Sequence, residues 1–209
     1  MTTVHTYASD VAFTPAVKAI QARKGSREAY GRVEQRGWRT EVDENIEAFL
    51  AEANSFYFAT ASADGQPYIQ HRGGPKGFLK VLDKQTLAFA DYAGNQQYLT
   101  QGNLSENPKA YIFVMDYAHR RRVKIWGEAR VVEDDDALTD ALMPKGYRAR
   151  PEQVILFKIA AWDTNCPQHI PQKFDAPDVA AALAARDQRI AELEAEIAAL
   201  EGPAAAEGG

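Results

Sequence analysis

From Ser55 onward the chain is a series of short runs rich in Phe, Tyr, Val, Ile and Thr, each closed by a turn signal. That texture restricts it to a mainly β architecture. The runs predict strands at 55–62, 67–72, 78–83, 86–91, 110–116, 122–132 and 154–162. Ala63-Asp64-Gly65-Gln66 contains Asp-Gly, a strong hairpin signal, and Leu82-Asp83-Lys84-Gln85-Thr86 is a short polar link between apolar runs. Both imply antiparallel neighbours, and the spacing suits a barrel.

Helices flank these strands. Thr14-Pro15 opens a segment through Ile20 to Lys24, and Asp43 can cap a segment that sets Ile46, Phe49 and Leu50 on one face. Gly25, Gly31 and Gly37 are expected to interrupt this region. The stretch from Gly94 to Leu104 holds one helix, expected to start right after Asp91-Tyr92 and to end at Asn107-Pro108. Asp134-Asp135-Asp136 offers caps for a further helix through Leu142, stopped by Pro144 and Gly146. The tail is Ala-rich and charged, with Leu183, Ile190 and Ile197 at heptad position a, Leu193 and Leu200 at d, and Arg186 at the preceding d. This coiled-coil seam calls for a symmetry mate or the body of the protein to cover it. The expected organisation is an extension at 1–42, a barrel at 43–176, a coiled-coil helix at 177–201 and a disordered tail at 202–209.

Composition narrows the function. With 45% hydrophobic and 25% charged residues in 209, the chain can bury a core. No apolar run approaches the roughly 18 residues of a membrane-spanning helix. The balance of 24 basic against 29 acidic residues disfavours nonspecific nucleic-acid binding, so any anion must be held by local positive charge. The N-terminus has no basic start or apolar stretch, which makes a cytoplasmic location the default expectation. A lone Cys166 with four scattered histidines argues against a structural metal.

Four stretches could carry chemistry. Tyr68 to Phe78 runs a strand into His71 and Arg72, then three glycines and Lys76. It reads equally as a phosphate cradle and as an ordinary Gly-Pro connection. Gly94-Asn95-Gln96-Gln97 opens the next helix, where free N–H groups favour an anion, although Gly-Asn is also a common turn. On the strand after His119-Arg120-Arg121, Arg122, Lys124 and Trp126 share one face, suited to solvent, to an interface or to the rim of a ring-stacking pocket. Cys166-Pro167-Gln168-His169-Ile170-Pro171 is a stiff loop whose prolines fix Gln168 and His169 as hydrogen-bonding groups. It could cover a pocket, with His169 as a proton donor or acceptor, or merely seal the barrel end.

The order of these stretches resembles the pyridoxamine 5′-phosphate oxidase-like family of flavin-binding split β-barrels. The resemblance covers about residues 43–162 and is carried by Phe56-Tyr57-Phe58-Ala59-Thr60, Asp64-Gly65-Gln66-Pro67 and Gln70-His71-Arg72-Gly73-Gly74-Pro75-Lys76-Gly77-Phe78. Thr86 to Asn95, Asn103-Leu104-Ser105-Glu106-Asn107-Pro108 and the Cys-Pro-Gln-His-Ile-Pro ending extend it. The implied fold is a six-stranded antiparallel split β-barrel with flanking helices and a C-terminal coiled-coil helix. The implied function is FMN binding at a homodimer interface and oxidation or reduction of a small molecule, with NAD(P)H as a candidate electron donor. The alternatives are a flavin holder or sensor without turnover, and a barrel that binds haem or a deazaflavin. Carried over, Arg72 and Lys76 would contact the phosphate or ring edge, with Asn95, Gln96 and Gln97 beside them. His71, Gly73, Asp91 and Tyr92 would neighbour the isoalloxazine ring, and a second subunit would contribute Arg122 or Trp126. Gln168 would join the cofactor site and His169 would be catalytic. Pyridoxamine-phosphate oxidases end in a segment with Trp and Arg that helps hold substrate; here a Cys-Pro-Gln-His loop and a coiled-coil tail stand instead, so the vitamin-forming activity does not follow.

Overall fold

The computed structural model describes residues 6–164 and 167–201, so Cys166 and the tail 202–209 lie outside the described residues. Seven strands form one antiparallel sheet: β1 (Ser55–Ala61), β2 (Pro67–Gly73), β3 (Lys80–Asp83), β4 (Thr86–Tyr92), β5 (Lys109–Asp116), β6 (Arg121–Val132) and β7 (Pro151–Thr164). Their order is β2-β1-β5-β6-β7-β4-β3. The expected strands are all present, and the sheet has seven strands where a six-stranded barrel was expected.

Alternation sets which residues face inward. On β1, Phe56, Phe58 and Thr60 are buried and the residues between them are half-exposed. Across the interior, the Phe56 ring meets Phe78 at 5.3 Å and Phe89 at 5.1 Å, while Phe58 meets Phe89 at 5.7 Å. Aromatic contacts therefore join β1 to β4, which the ladder does not pair. α3 (Glu44–Ala51) closes one side with Ile46 and Leu50, its start fixed by Asp43 accepting from the Ile46 N–H at 3.0 Å. α4 (Leu99–Glu106) and α5 (Asp136–Leu142) bury Leu104 and Leu142 respectively.

Among the described residues, the extension carries a 3-10 turn (Ala8–Val11) and two α-helices, α1 (Pro15–Arg23) and α2 (Arg27–Arg36). Thr14 and Pro15 start α1 as expected, with Thr14 accepting from Val17 at 3.3 Å. Gly31, expected as an interruption, lies inside α2, where a mid-helix Gly costs only about 1 kcal/mol. The extension packs on the outer face of β6: Trp38 stacks on Trp126 with ring centroids 4.8 Å apart, and Phe13 meets Trp38 edge-on at 5.1 Å. Backbone bonding seals the join, with Trp162 donating to the Arg39 carbonyl at 2.8 Å. At the opposite terminus, α6 (Ala176–Glu201) is exposed from Ala176 to Leu200.

At Gly127 the β6–β7 register shifts, and a Cβ there would stand 2.1 Å from the Lys158 carbonyl oxygen and 2.6 Å from the Phe157 ring. Backbone cannot yield as a flexible side chain can. Gly127→Ala is expected to lower stability by about 2–3 kcal/mol through overpacking, read as a lower urea midpoint at unchanged slope. An unaltered midpoint would show that the bulge relaxes freely.

Candidate functional site

Where the sheet fails to close, charge bridges the gap. Arg72, on the inward face of β2, pairs with Asp91 at the end of β4, and both side chains are about nine-tenths buried (12% and 10% exposed). One guanidinium nitrogen of Arg72 also donates to Thr100 Oγ1 at 3.2 Å, and that hydroxyl donates to Gln70 Oε1 at 3.2 Å. Gln153 Nε2 on β7 donates to the second Asp91 oxygen at 3.0 Å. Every oxygen of the carboxylate therefore has a donor, as a buried charge requires. The Arg72 Nε is buried without a hydrogen-bond partner.

The connection from Ala93 to Tyr98 forms the mouth of this cleft. Asn95 Oδ1 accepts from the Gln97 N–H at 3.2 Å, and Gln96 and Tyr98 take left-handed backbone conformations with φ of 57° and 53°. This local turn competes with helix, so α4 begins at Leu99 and not directly after Tyr92. The expectation that Asn95, Gln96 and Gln97 open a helix is thus corrected: they form a loop. The cleft has a volume of about 50 Å³ and is lined by Arg72, Asp91, Tyr92, Asn95, Gln96 and Gln97, among others. Those six come from two stretches of sequence that the fold brings together. Burial, and secondarily Tyr147, raises the pKa of the Tyr92 phenol, whose buried hydroxyl has no partner. The phenol therefore stays protonated around neutral pH and can donate to an anion.

The remaining expected residues lie elsewhere. His71 alternates to the outer face of β2, exposed, with its ring 5.7 Å from Tyr57. Gly73 ends β2 opposite Ser55. Lys76 sits in the following turn and pairs with Glu52 at 3.1 Å, both exposed. Arg72 and Lys76, close in sequence, do not converge on one point. Pro167 to Ile170 forms a turn in which Gln168 and His169 are exposed, His169 with φ of 63°, while Ile170 is buried. Neither Gln168 nor His169 lines the cleft.

Arg122 belongs to a second hollow, of about 570 Å³, between the extension and the barrel. Trp38 and Arg39 supply one wall, Phe49 another, and Arg122 and Trp162 the floor. Arg39 and Arg121 are paired with Asp43 and Asp116, whereas the Arg122 Nε is buried without a partner. Trp126 stands behind this wall, stacked on Trp38. Tyr111, on the same outer face, has its pKa pushed up to about 12 by burial, opposed by the nearby Arg122 charge. Sequence reasoning missed Gln70, Thr100 and Gln153, whose roles arise only when β2, α4 and β7 meet. It also missed Trp38 and Trp162. Among the described residues no group of three or more His, Cys, Asp or Glu could hold a metal, and no helix is long and apolar enough to cross a membrane.

Known proteins share parts of this sequence. The sequence pattern of the pyridoxamine 5′-phosphate oxidase family matches residues 42–166. The pyridoxine/pyridoxamine 5′-phosphate oxidase of Aliarcobacter butzleri strain RM4018 is 29% identical over 144 residues, covering 66% of this chain. The match spans 60% of that relative's length. Among solved structures, HupZ of group A Streptococcus is similar at 17% identity and a TM-score of 0.49, over 64% of this chain and 99% of that one. An F420 reductase is similar at 21% identity and a TM-score of 0.43, over 58% of this chain and 98% of that one. From the entry to α3 through the end of β7, this chain belongs to the pyridoxamine 5′-phosphate oxidase family.

Proposed function

We propose that this protein is an FMN-binding oxidoreductase that acts as a homodimer on a small molecule. The observation that carries the reading is the cleft at the split, where Arg72, Tyr92 and the Asn95–Gln97 loop surround a space sized for an anion and not for a ring system. A terminal phosphate monoester fits such a space; the second nucleotide of FAD does not. The Arg72 Nε, the Tyr92 hydroxyl and the amide groups of Asn95, Gln96 and Gln97 are the available donors. Asp91, itself held by Gln153, and Thr100 fix the guanidinium so that its remaining edge is presented in one orientation.

The chemistry a bound flavin supplies is hydride and electron transfer. This chain's residues would bind, orient and shield it. A ring extending from so small a cleft needs a second wall, and a partner subunit would supply it with the cation of Arg122, which lines the hollow beside its own extension, and with the aromatic of Trp126 once Trp38 no longer covers it. NAD(P)H is the proposed electron donor. His169 is proposed to reach the ring or substrate as a proton donor when the turn carrying it and Gln168 closes on the partner. Its exposed position outside the cleft favours one other reading, a protein that holds flavin without turnover.

Three outcomes are expected. The purified protein saturated with FMN should show a flavin spectrum, and Arg72→Ala should weaken FMN binding about 10- to 150-fold, the effect of losing a charge-assisted hydrogen bond of about 1.5–3 kcal/mol. Because that change strands the Asp91 carboxylate, the same titration on Arg72→Ala/Asp91→Asn separates affinity from folding; unchanged affinity in both removes Arg72 from the site. Deleting residues 178–209 should leave a dimer in sedimentation velocity, since a barrel interface outweighs a three-heptad seam; a monomer would make α6 the principal contact. Finally, His169→Ala should slow FMN-dependent NAD(P)H consumption while leaving FMN affinity intact. No consumption by the unaltered protein with any acceptor would favour the flavin holder.

A further inference from the structure

α6 leaves the body uncovered. Each residue from Ala176 to Leu200 is exposed, and the seam residues Leu183, Ile190, Leu193 and Ile197 are between 40% and 53% exposed. A lone helix in water draws little stability from its own backbone, and most helical stability comes from packing an apolar face. We propose that this face is covered by α6 of a second copy of the chain, lying antiparallel.

Charge and core composition choose that orientation. Both basic residues, Arg186 and Arg189, precede Ile190, whereas the stretch 190–200 carries Glu192, Glu194 and Glu196 and no basic residue. A parallel pair lays the acidic half on itself. It also sets Arg186 at d against Arg186 of the partner subunit, two like charges facing each other inside the seam. Its one favourable flank, Arg189 with the partner's Glu194, does not offset that.

Reversing one helix pairs position a with d. Leu183 then meets the partner's Leu200, and Ile190 meets the partner's Leu193. Ile197 lies under the stem of Arg186 of the partner subunit, which can extend its guanidinium to water. Arg189 faces the partner's Glu196, and the opposed helix dipoles attract. One like-charged flank, Asp187 with the partner's Glu194, remains at the solvent-exposed edge, where screening makes it weak. The arrangement therefore keeps every seam layer free of facing charges.

Spin-label distances on the full chain test this independently of any flavin. On a Cys166→Ser background, nitroxides are placed at Ala181→Cys or at Ala198→Cys, both off the seam. With a rise of 1.5 Å per residue, the antiparallel pair sets the labels at 181 about 30–35 Å from each other and those at 198 about 20–25 Å apart, each with a narrow distribution. Short distances of about 20 Å or less at both positions mean a parallel pair and overturn the proposal. Broad distributions, no dipolar coupling, or a longer distance at 198 than at 181 mean that the two helices do not meet, and overturn it as well.

Discussion

The Arg72–Asp91 pair does what backbone hydrogen bonds do elsewhere in the sheet. β2 begins the strand order and β4 lies next to its far end, so no ladder joins them. The guanidinium and carboxylate span that gap, and their hydrogen bonds reach Thr100 on α4 and Gln153 on β7. One buried charge pair thereby gathers four elements at a point. A buried pair of this kind is often no more stabilising than a well-packed apolar one, but removing one partner costs about 3–5 kcal/mol. Its value lies in direction: a planar guanidinium gripped on one edge leaves the other edge fixed, which an apolar plug could not do.

Behind the pair, shape matters more than charge. Phe56, Phe78 and Phe89 pack together in the interior, and Phe78 gets there only because Gly74 has no side chain; a Cβ at that position would lie 2.7 Å from the Phe78 ring. The glycine-rich stretch after Arg72 thus has a packing function in its own right. The same turn carries Lys76 away to Glu52.

That stretch shows what could be read in the sequence and what could not. The strands were legible because alternation is a local property: the pattern of Phe56, Phe58 and Thr60 is visible without knowing what they touch. The Asp43 and Thr14 caps were legible for the same reason. Arg72 and Lys76 looked like one basic cluster because sequence proximity was the only distance available, and the turn between them undoes it. The partnership of Arg72 with Asp91, 19 positions apart, depends on closure of the whole sheet, and so do the contributions of Thr100 and Gln153. The late start of α4 was hidden because Asn95 can serve a helix or an Asx turn, and the left-handed Gln96 and Tyr98 decide between them only in the folded chain. Trp38 carried no periodic signal at all, since its stacking partner lies on a distant strand.

The placement of the aromatic residues has an optical consequence. The chain contains 3 tryptophans, and all stand at the junction between the N-terminal extension and the barrel: Trp38 on the extension, Trp126 stacked against it, and Trp162 hydrogen-bonded through its indole N–H to the Glu41 carbonyl at 2.8 Å. Trp38 and Trp126 stand apart from the interior phenylalanine cluster, which Trp162 joins from the junction side, and none of the three lines the cleft at the Arg72–Asp91 pair. The share of the tryptophan emission that comes from Trp38 and Trp126 is therefore a local gauge of whether residues 6–42 are seated on β6 and β7. Lifting the extension would shift the emission to the red with the barrel intact, and a fluorescence melting curve would time that undocking separately from the loss of the sheet followed by far-ultraviolet circular dichroism.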